Sequence, residues 1–350
     1  MKKLKLNFSD FDPYNQFSKQ ENYFTRLLSK QYEVEISENP DLLFYSNYGK
    51  DFQKYQCTRI FFTVENLRPN YHECDYAFSF DLDPSEKHFR FPSYCFYGNP
   101  YPYYGDPENL TKPKDPEQII SQKKKFCCFI VSNPFNKIRN TFFHELSKYK
   151  QVDSGGRFLN NLGHVVSNKS DFLKEYKFAI TFENESYPGY TTEKIFEAMQ
   201  VNTIPVYWGN PFISSEFNTR SFINCHDLPD FKQAVDQIIR IDNDDALYAR
   251  YLNEPYFIEN KVPQPIREDT VLRKLISIIE NNNHIPVGIT EKNYSYIRNF
   301  ADLLTKPISY FLPLSVKKTY FPQYRKLLMI IRSFGNTSWS AWRKFLKLIH

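Results

Sequence analysis

Residues 176–208 leave this chain few folds to choose from. Residues 176–182, Tyr-Lys-Phe-Ala-Ile-Thr-Phe, have the near-continuous apolar content of a strand covered on both faces. A polar loop built around Pro188-Gly189 follows. The next run, 192–201, has helical period and places Ile195, Phe196 and Met199 on one face. Residues 203–208 form a second apolar run, stopped by Gly209-Asn210-Pro211. Strand, helix and strand within about 30 residues make a βαβ unit, and a βαβ unit requires a parallel sheet.

The same alternation recurs upstream. Apolar runs at 5–8, 32–36, 42–45, 59–64 and 76–80, with a helix expected over 22–29, describe a first α/β unit. A proline-rich stretch, 98–117, reads as a linker or excursion. A second unit opens with the buried strand 125–131, followed by a helix over 138–149 and a turn at Gly155-Gly156. With 350 residues, 41% of them hydrophobic, the chain has room and apolar material for two such domains. The expected division is 1–120, 121–302 and a tail, 303–350.

Charge separates the tail from the rest. Residues 303–350 hold nine Lys/Arg and no Asp/Glu, which leaves 36 basic and 40 acidic residues in the first 302. A mildly acidic body with a basic tail points to an anionic partner for the tail alone. A helix over 338–349 would align Trp339, Trp342, Leu346 and Ile349, flanked by Arg343, Lys344 and Lys347. That pattern suits a helix lying in a membrane surface; packing on the body and RNA binding are the other readings. The expectation is membrane contact and no nucleic acid.

Several chemistries find no support. No G-x-x-x-x-G-K-[ST], G-x-G-x-x-G or G-x-S-x-G occurs. The seven histidines show no pair at metal-ligand spacing, and Asp81-Leu82-Asp83 is a D-x-D match of the kind chance supplies. No metal and no cofactor is expected. The six cysteines show no C-x-x-C pair and read as small buried hydrophobes in a reduced compartment. The N-terminal residues contain no apolar run of signal-peptide or membrane-span length, so a cytoplasmic location is expected.

In an open parallel sheet, ligands bind beyond the carboxyl ends of the strands. Two segments put reactive side chains there. One is Phe61-Phe62-Thr63-Val64-Glu65-Asn66, a strand running into a carboxylate; alone, such a Glu is more readily a surface salt-bridge partner. The other runs from Glu183-Asn184 to Thr192-Glu193-Lys194, where a polar loop meets a helix N-terminus suited to a phosphate. A lysine in a first helical turn is explained by a bound anion or, equally, by solvation.

Together these segments resemble glycosyltransferase family 10, the bacterial α1,3/4-fucosyltransferases. The resemblance rests on Phe182-Glu183-Asn184, Tyr190-Thr191-Thr192-Glu193-Lys194 and Ile204-Pro205-Val206-Tyr207-Trp208-Gly209. It is extended by Val131-Ser132-Asn133 with Ile138-Arg139-Asn140, and by the segment from Phe61 to Pro69 with Asp75-Tyr76-Ala77 and Phe80-Asp81. It implies two Rossmann-like domains of the GT-B type, the first on the acceptor side and the second on the donor side. It implies GDP-β-L-fucose as donor, inversion at the transferred carbon, and a GlcNAc hydroxyl (α1,3 and/or α1,4) of a Galβ-GlcNAc glycan such as lipopolysaccharide as acceptor.

By the same resemblance Glu65 is the base, and Ser132, Arg139, Asn184, Tyr190, Glu193 and Lys194 touch the donor. Arg139 and Lys194 fall on the diphosphate. Glu193 holds either the ribose or the sugar's developing positive charge, and Glu183 either joins them or caps the loop. The protein would then work on the inner face of the plasma membrane, held by its tail. The alternatives are transfer of another GDP-sugar, another acceptor, or a catalytically silent sugar- or membrane-binding protein on the same fold.

Overall fold

The computed structural model describes residues 1–11, 17–95, 106–281 and 286–290. The expected tail, 303–350, and part of the proline-rich stretch lie outside the described residues.

Two parallel sheets carry the fold. The first contains β1 (Lys2–Ser9), β2 (Tyr32–Ile36), β3 (Leu42–Tyr45), β4 (Thr58–Phe62), β5 (Tyr76–Ser79) and β6 (His88–Arg90), in the order β2-β1-β3-β4-β5-β6. The second contains β7 (Lys125–Phe129), β8 (Val152–Ser154), β9 (Tyr176–Ile180), β10 (Ile204–Tyr207) and β11 (Ile223–Asn224), in the order β11-β10-β9-β7-β8. Every strand pair is parallel. Both sheets start with an inner strand and reverse direction beside it, between β1 and β3 and between β7 and β9. These reversals are the topological switch points at which doubly wound sheets bind ligands.

The helices cover the faces. They are α1 (Tyr23–Leu28), α2 (Pro116–Gln122), α3 (Lys137–Ser147), α4 (Lys169–Lys174), α5 (Glu193–Gln200), α6 (Phe231–Asp242), α7 (Asp245–Asn253), α8 (Glu268–Glu280) and α9 (Val287–Thr290). Capping residues set several of the starts. Asn22 accepts from the amides of Phe24 and Thr25 at 3.0 Å each, so α1 begins one residue later than its apolar pattern.

Side chains alternate across the first sheet as the pleat demands. Leu42, Phe44, Ile60 and Phe62 face a core with α1 and α8, while Leu43, Tyr45 and Phe61 face a smaller cluster on the other side. Helix α8 lies within the span expected for the second domain, yet Val271, Leu275 and Ile278 pack into the first sheet's core. That same core takes in Ile195, Phe196 and Met199 of α5. The apolar face read from the sequence is therefore the seam between the two sheets. Cys57, Cys74, Cys127, Cys128 and Cys225 are buried and unpaired.

Candidate active site

Three segments converge at the β7–β9 switch point. The loop after β7 ends at Asn136, the N-cap of α3, whose Oδ1 accepts from the Arg139 amide at 3.1 Å. Asn136 Nδ2 donates to the carbonyls of Glu183 and Asn184, at 3.0 and 2.9 Å. One side chain thus starts the helix and ties it to the loop after β9. Arg139, in the first turn of α3, is almost wholly buried. Its Nη1 donates to Asn184 Oδ1 (3.0 Å) and its Nη2 to the Asn133 carbonyl (2.6 Å). Its Nε, buried, has no acceptor. Burial holds the Arg139 guanidinium below its ordinary pKa, with Glu183 acting in the opposite sense. A buried cation with an unanswered donor is costly unless an anion completes it.

The β9 loop delivers a second cation. Glu183 is fully buried and accepts from the Thr192 amide (2.7 Å), the Thr192 hydroxyl (2.6 Å) and Lys194 Nζ (3.1 Å). Burial pushes the Glu183 carboxyl up, against the pull of Lys194. Burial would lower Lys194, but Glu183 and Glu193 outweigh it and hold the ammonium well above its usual range. Burial would likewise raise Glu193, but Lys194 and Lys169 override it and hold the carboxyl at about 2. Thr192, the N-cap of α5, makes no side-chain cap bond to the helix, because its hydroxyl is committed to Glu183. The positive end of α5 is left for another acceptor.

Glycine and asparagine make this geometry possible. A Cβ on Gly209 would sit 2.3 Å from Glu183 Cγ, so only glycine admits the buried carboxylate. Asn210, fully buried, accepts from the Gly189 amide (2.8 Å) and donates to Thr191 Oγ1 (3.1 Å), which pins the loop before α5.

From the first sheet comes Glu65, three residues beyond β4 and half-buried. Its amide donates to Thr63 Oγ1 (3.0 Å), which itself donates to Asn47 Oδ1 (2.8 Å), and its carboxylate accepts from Tyr48 Oη at 3.4 Å. The next residue, Asn66, donates to Glu185 in the β9 loop. Arg68 stacks over the Tyr187 ring at 3.5 Å and pairs with Asp81 at 2.9 Å. Tyr190 is the common neighbour. Burial holds its hydroxyl well above the ordinary value, and the charges of Glu183, Lys194, Glu65 and Glu193 all act on it.

Of the residues singled out in the sequence, Arg139, Asn184, Tyr190, Glu193 and Lys194 therefore gather around Glu183, with Glu65 in reach from the opposite sheet. Ser132 is exposed on the loop after β7. Asp81 and Asp83 are occupied, by Arg68 and by the Tyr71 hydroxyl (2.9 Å). Among the described residues no three His, Cys, Asp or Glu are grouped to hold a metal ion. Asn136 and Asn210 were missed. Their only sequence signals were an asparagine just ahead of a helix and one inside a strand-stopping Gly-Asn-Pro. A cavity of about 700 Å³, whose lining includes Glu216, Glu259, Arg267 and Arg273, contains none of the site residues.

Two doubly wound parallel sheets, with cations at the switch point of one and a carboxylate at the strand ends of the other, make the two-domain architecture of the GT-B type. The chain belongs to glycosyltransferase family 10. Residues 6–97 match the alpha-(1,3)-fucosyltransferase FucT N-terminal domain, and residues 120–270 match the glycosyltransferase family 10 (fucosyltransferase) C-terminal domain. The chain is 34% identical over 276 residues to the alpha-(1,3)-fucosyltransferase FucT of Helicobacter pylori, covering 67% of this chain and 58% of that protein. It is 35% identical over 147 residues to the 3-galactosyl-N-acetylglucosaminide 4-alpha-L-fucosyltransferase of Bos taurus, covering 41% of this chain and 39% of that one. The chain thus spans well under two thirds of these relatives. Its fold is similar to that of an alpha1,3-fucosyltransferase crystallised with GDP-fucose, with a TM-score of 0.65 at 28% identity, covering 81% of this chain and 92% of that one.

Proposed function

We propose that this chain transfers L-fucose from GDP-β-L-fucose, with inversion, to a GlcNAc hydroxyl of a Galβ-GlcNAc glycan such as lipopolysaccharide, forming an α1,3 and/or α1,4 linkage. The observation that carries the reading is the pair of cations, Arg139 and Lys194, around one buried carboxylate. One has an unanswered buried donor and the other sits at an open helix N-terminus. A nucleoside diphosphate supplies the acceptor that Arg139 Nε lacks and meets the open end of α5 beside Lys194. The family's fucosyltransferases and the solved relative holding GDP-fucose support the identity of the sugar.

In this mechanism the acceptor hydroxyl attacks the fucose anomeric carbon as the bond to the diphosphate breaks, and Glu65 takes the hydroxyl proton. GDP leaves as an anion, so no carboxylic acid is needed to protonate it. Arg139, presenting a planar fork, and Lys194, a point charge, neutralise the growing negative charge in a site shielded from water. They occupy the part that a divalent metal would otherwise play. Ser132, Asn184 and Tyr190 complete the donor cage, with Glu193 on the ribose or facing the sugar's positive charge. The basic stretch 303–350 is proposed to hold the protein on the cytoplasmic face of a membrane rich in anionic lipid; among the described residues no helix is long and apolar enough to cross one.

The test incubates the purified protein with GDP-fucose and N-acetyllactosamine, with and without EDTA, and measures GDP and fucosylated product. Product in both tubes supports donor, acceptor class and metal independence together. GDP without product keeps the donor and rejects the acceptor. No GDP release, with weak GDP binding, rejects the enzyme.

A further inference from the structure

Arg90 closes β6, the edge strand of the first sheet, on the side that faces the second. Its guanidinium reaches three elements at once. Nη1 donates to the Phe80 carbonyl, at the end of its own sheet, and to the Gly189 carbonyl of the β9 loop at 3.1 Å. Nη2 pairs with Glu216, beyond β10, and the other Glu216 oxygen accepts from the Tyr94 hydroxyl. All three side chains are largely buried, with Arg90 only 15% and Glu216 only 9% exposed. Tyr94 continues the contact, its ring stacked on Phe196 of α5 at 5.8 Å. Gly189 adopts φ +83°, and a Cβ there would lie 2.4 Å from the Phe80 carbonyl, so the loop touches the first sheet backbone to backbone. None of these residues reaches the reacting atoms in the mechanism above.

We infer that Arg90, with Glu216 and Tyr94, is a positioning group for transfer: it sets the register between the sheet that carries the base and the loop that carries the donor cage. The inference rests on the proposed fucosyl transfer. The β9 loop has its own supports within the second sheet, from Asn136, Asn210 and Glu183. Losing Arg90 therefore leaves the donor cage assembled. What is lost is the alignment of Glu65, on one sheet, with a sugar held on the other. An in-line displacement is sensitive to such a shift, since a misplacement of about 1 Å costs about 100-fold. Donor hydrolysis needs only water and the donor cage, and is not held to that alignment.

The experiment compares wild type with Arg90→Met, Arg90→Lys, Glu216→Gln and Tyr94→Phe. It measures kcat for transfer, the rate of GDP release from GDP-fucose without acceptor, and the Kd for GDP. For Arg90→Met, transfer should fall about 100-fold while hydrolysis and GDP affinity stay within about 3-fold of wild type. Arg90→Lys should recover part of the transfer rate, because it restores the charge opposite Glu216 but not the fork. Glu216→Gln and Tyr94→Phe should show the same selective loss, smaller in size. They decide the matter if Arg90→Met does not fold. Equal losses in transfer and hydrolysis, or no loss in either, overturn the inference. A wild-type protein that releases no GDP at all overturns the functional reading beneath it, a distinguishable result.

Discussion

Lys194 shows how a residue unfavourable to its own secondary structure is explained by its surroundings. A cation in the first turn of α5 opposes the helix dipole, and Glu183 beneath it supplies the compensation. Arg139 is the complementary case, buried with one donor unanswered. Replacing it with lysine keeps the charge and loses the fork, so GDP affinity should drop about 10-fold or more by calorimetry. Replacing Glu65 with Gln should lower transfer by a factor on the order of 10² to 10⁴ and leave the Kd for GDP unchanged. Near-full activity in that variant would remove Glu65 as the base. One turn behind Glu193, Glu197 is buried beside Lys169 at 2.6 Å, and burial pushes its carboxyl up to about 7. Its proton is held more tightly in the folded state than at the ordinary 4.5. The stability it contributes is therefore complete below pH 4.5 and is lost as pH rises through about 7. Glu197→Gln should flatten the fall in Tm across that window; an unchanged slope would count against the assignment.

At the scale of elements, the ends of α5 are managed as carefully as its face. Its C-terminal side meets Lys123, a buried amine that donates to the Lys174 carbonyl (3.0 Å), the Val201 carbonyl (2.7 Å) and Thr203 Oγ1 (2.8 Å). The end of α4 and the end of α5 thus share one cation, the favourable sign for a helix C-terminus. Burial brings the Lys123 pKa down to about 7, and three acceptors make its position tolerable. Lys123→Met should destabilise the protein by about 1–3 kcal/mol in urea titrations, since buried carbonyls lose their donor, and should leave donor hydrolysis intact. A variant as stable as wild type would mean that water replaces the amine.

For the molecule as a whole, the seam between the sheets is apolar and continuous with the first sheet's core. Phe196 is fully buried there, against Tyr94. Phe196→Ala should cost about 3–5 kcal/mol. Calorimetry of the wild-type protein should show one cooperative transition for the two sheets, because the first sheet's core is completed by α5 and α8. Two well-separated transitions would contradict a shared core. A hinge opening wide between the sheets would expose this surface, so approach of the acceptor is expected along the polar rim lined by Glu65, Asn66 and Arg68.

Local patterning determined a good deal. Continuous apolar runs placed the inner strands, since strands covered on both faces must be apolar throughout. The order Phe182-Glu183-Asn184, Thr192-Glu193-Lys194 marked a candidate anion site, because a loop entering a helix N-terminus offers free N–H groups. Short, less apolar elements such as β6, β8 and β11 left no such trace. Neither did α8, whose apolar stripe says that it packs and not on which sheet. Tertiary structure alone decided the partners: Glu183 under Lys194, Asn136 bridging two loops, and Arg90 reaching Gly189 across 99 residues of chain. A hydrogen bond between distant segments has no period in sequence. It exists only once packing has brought donor and acceptor within 3 Å or so and excluded the water that would otherwise satisfy both.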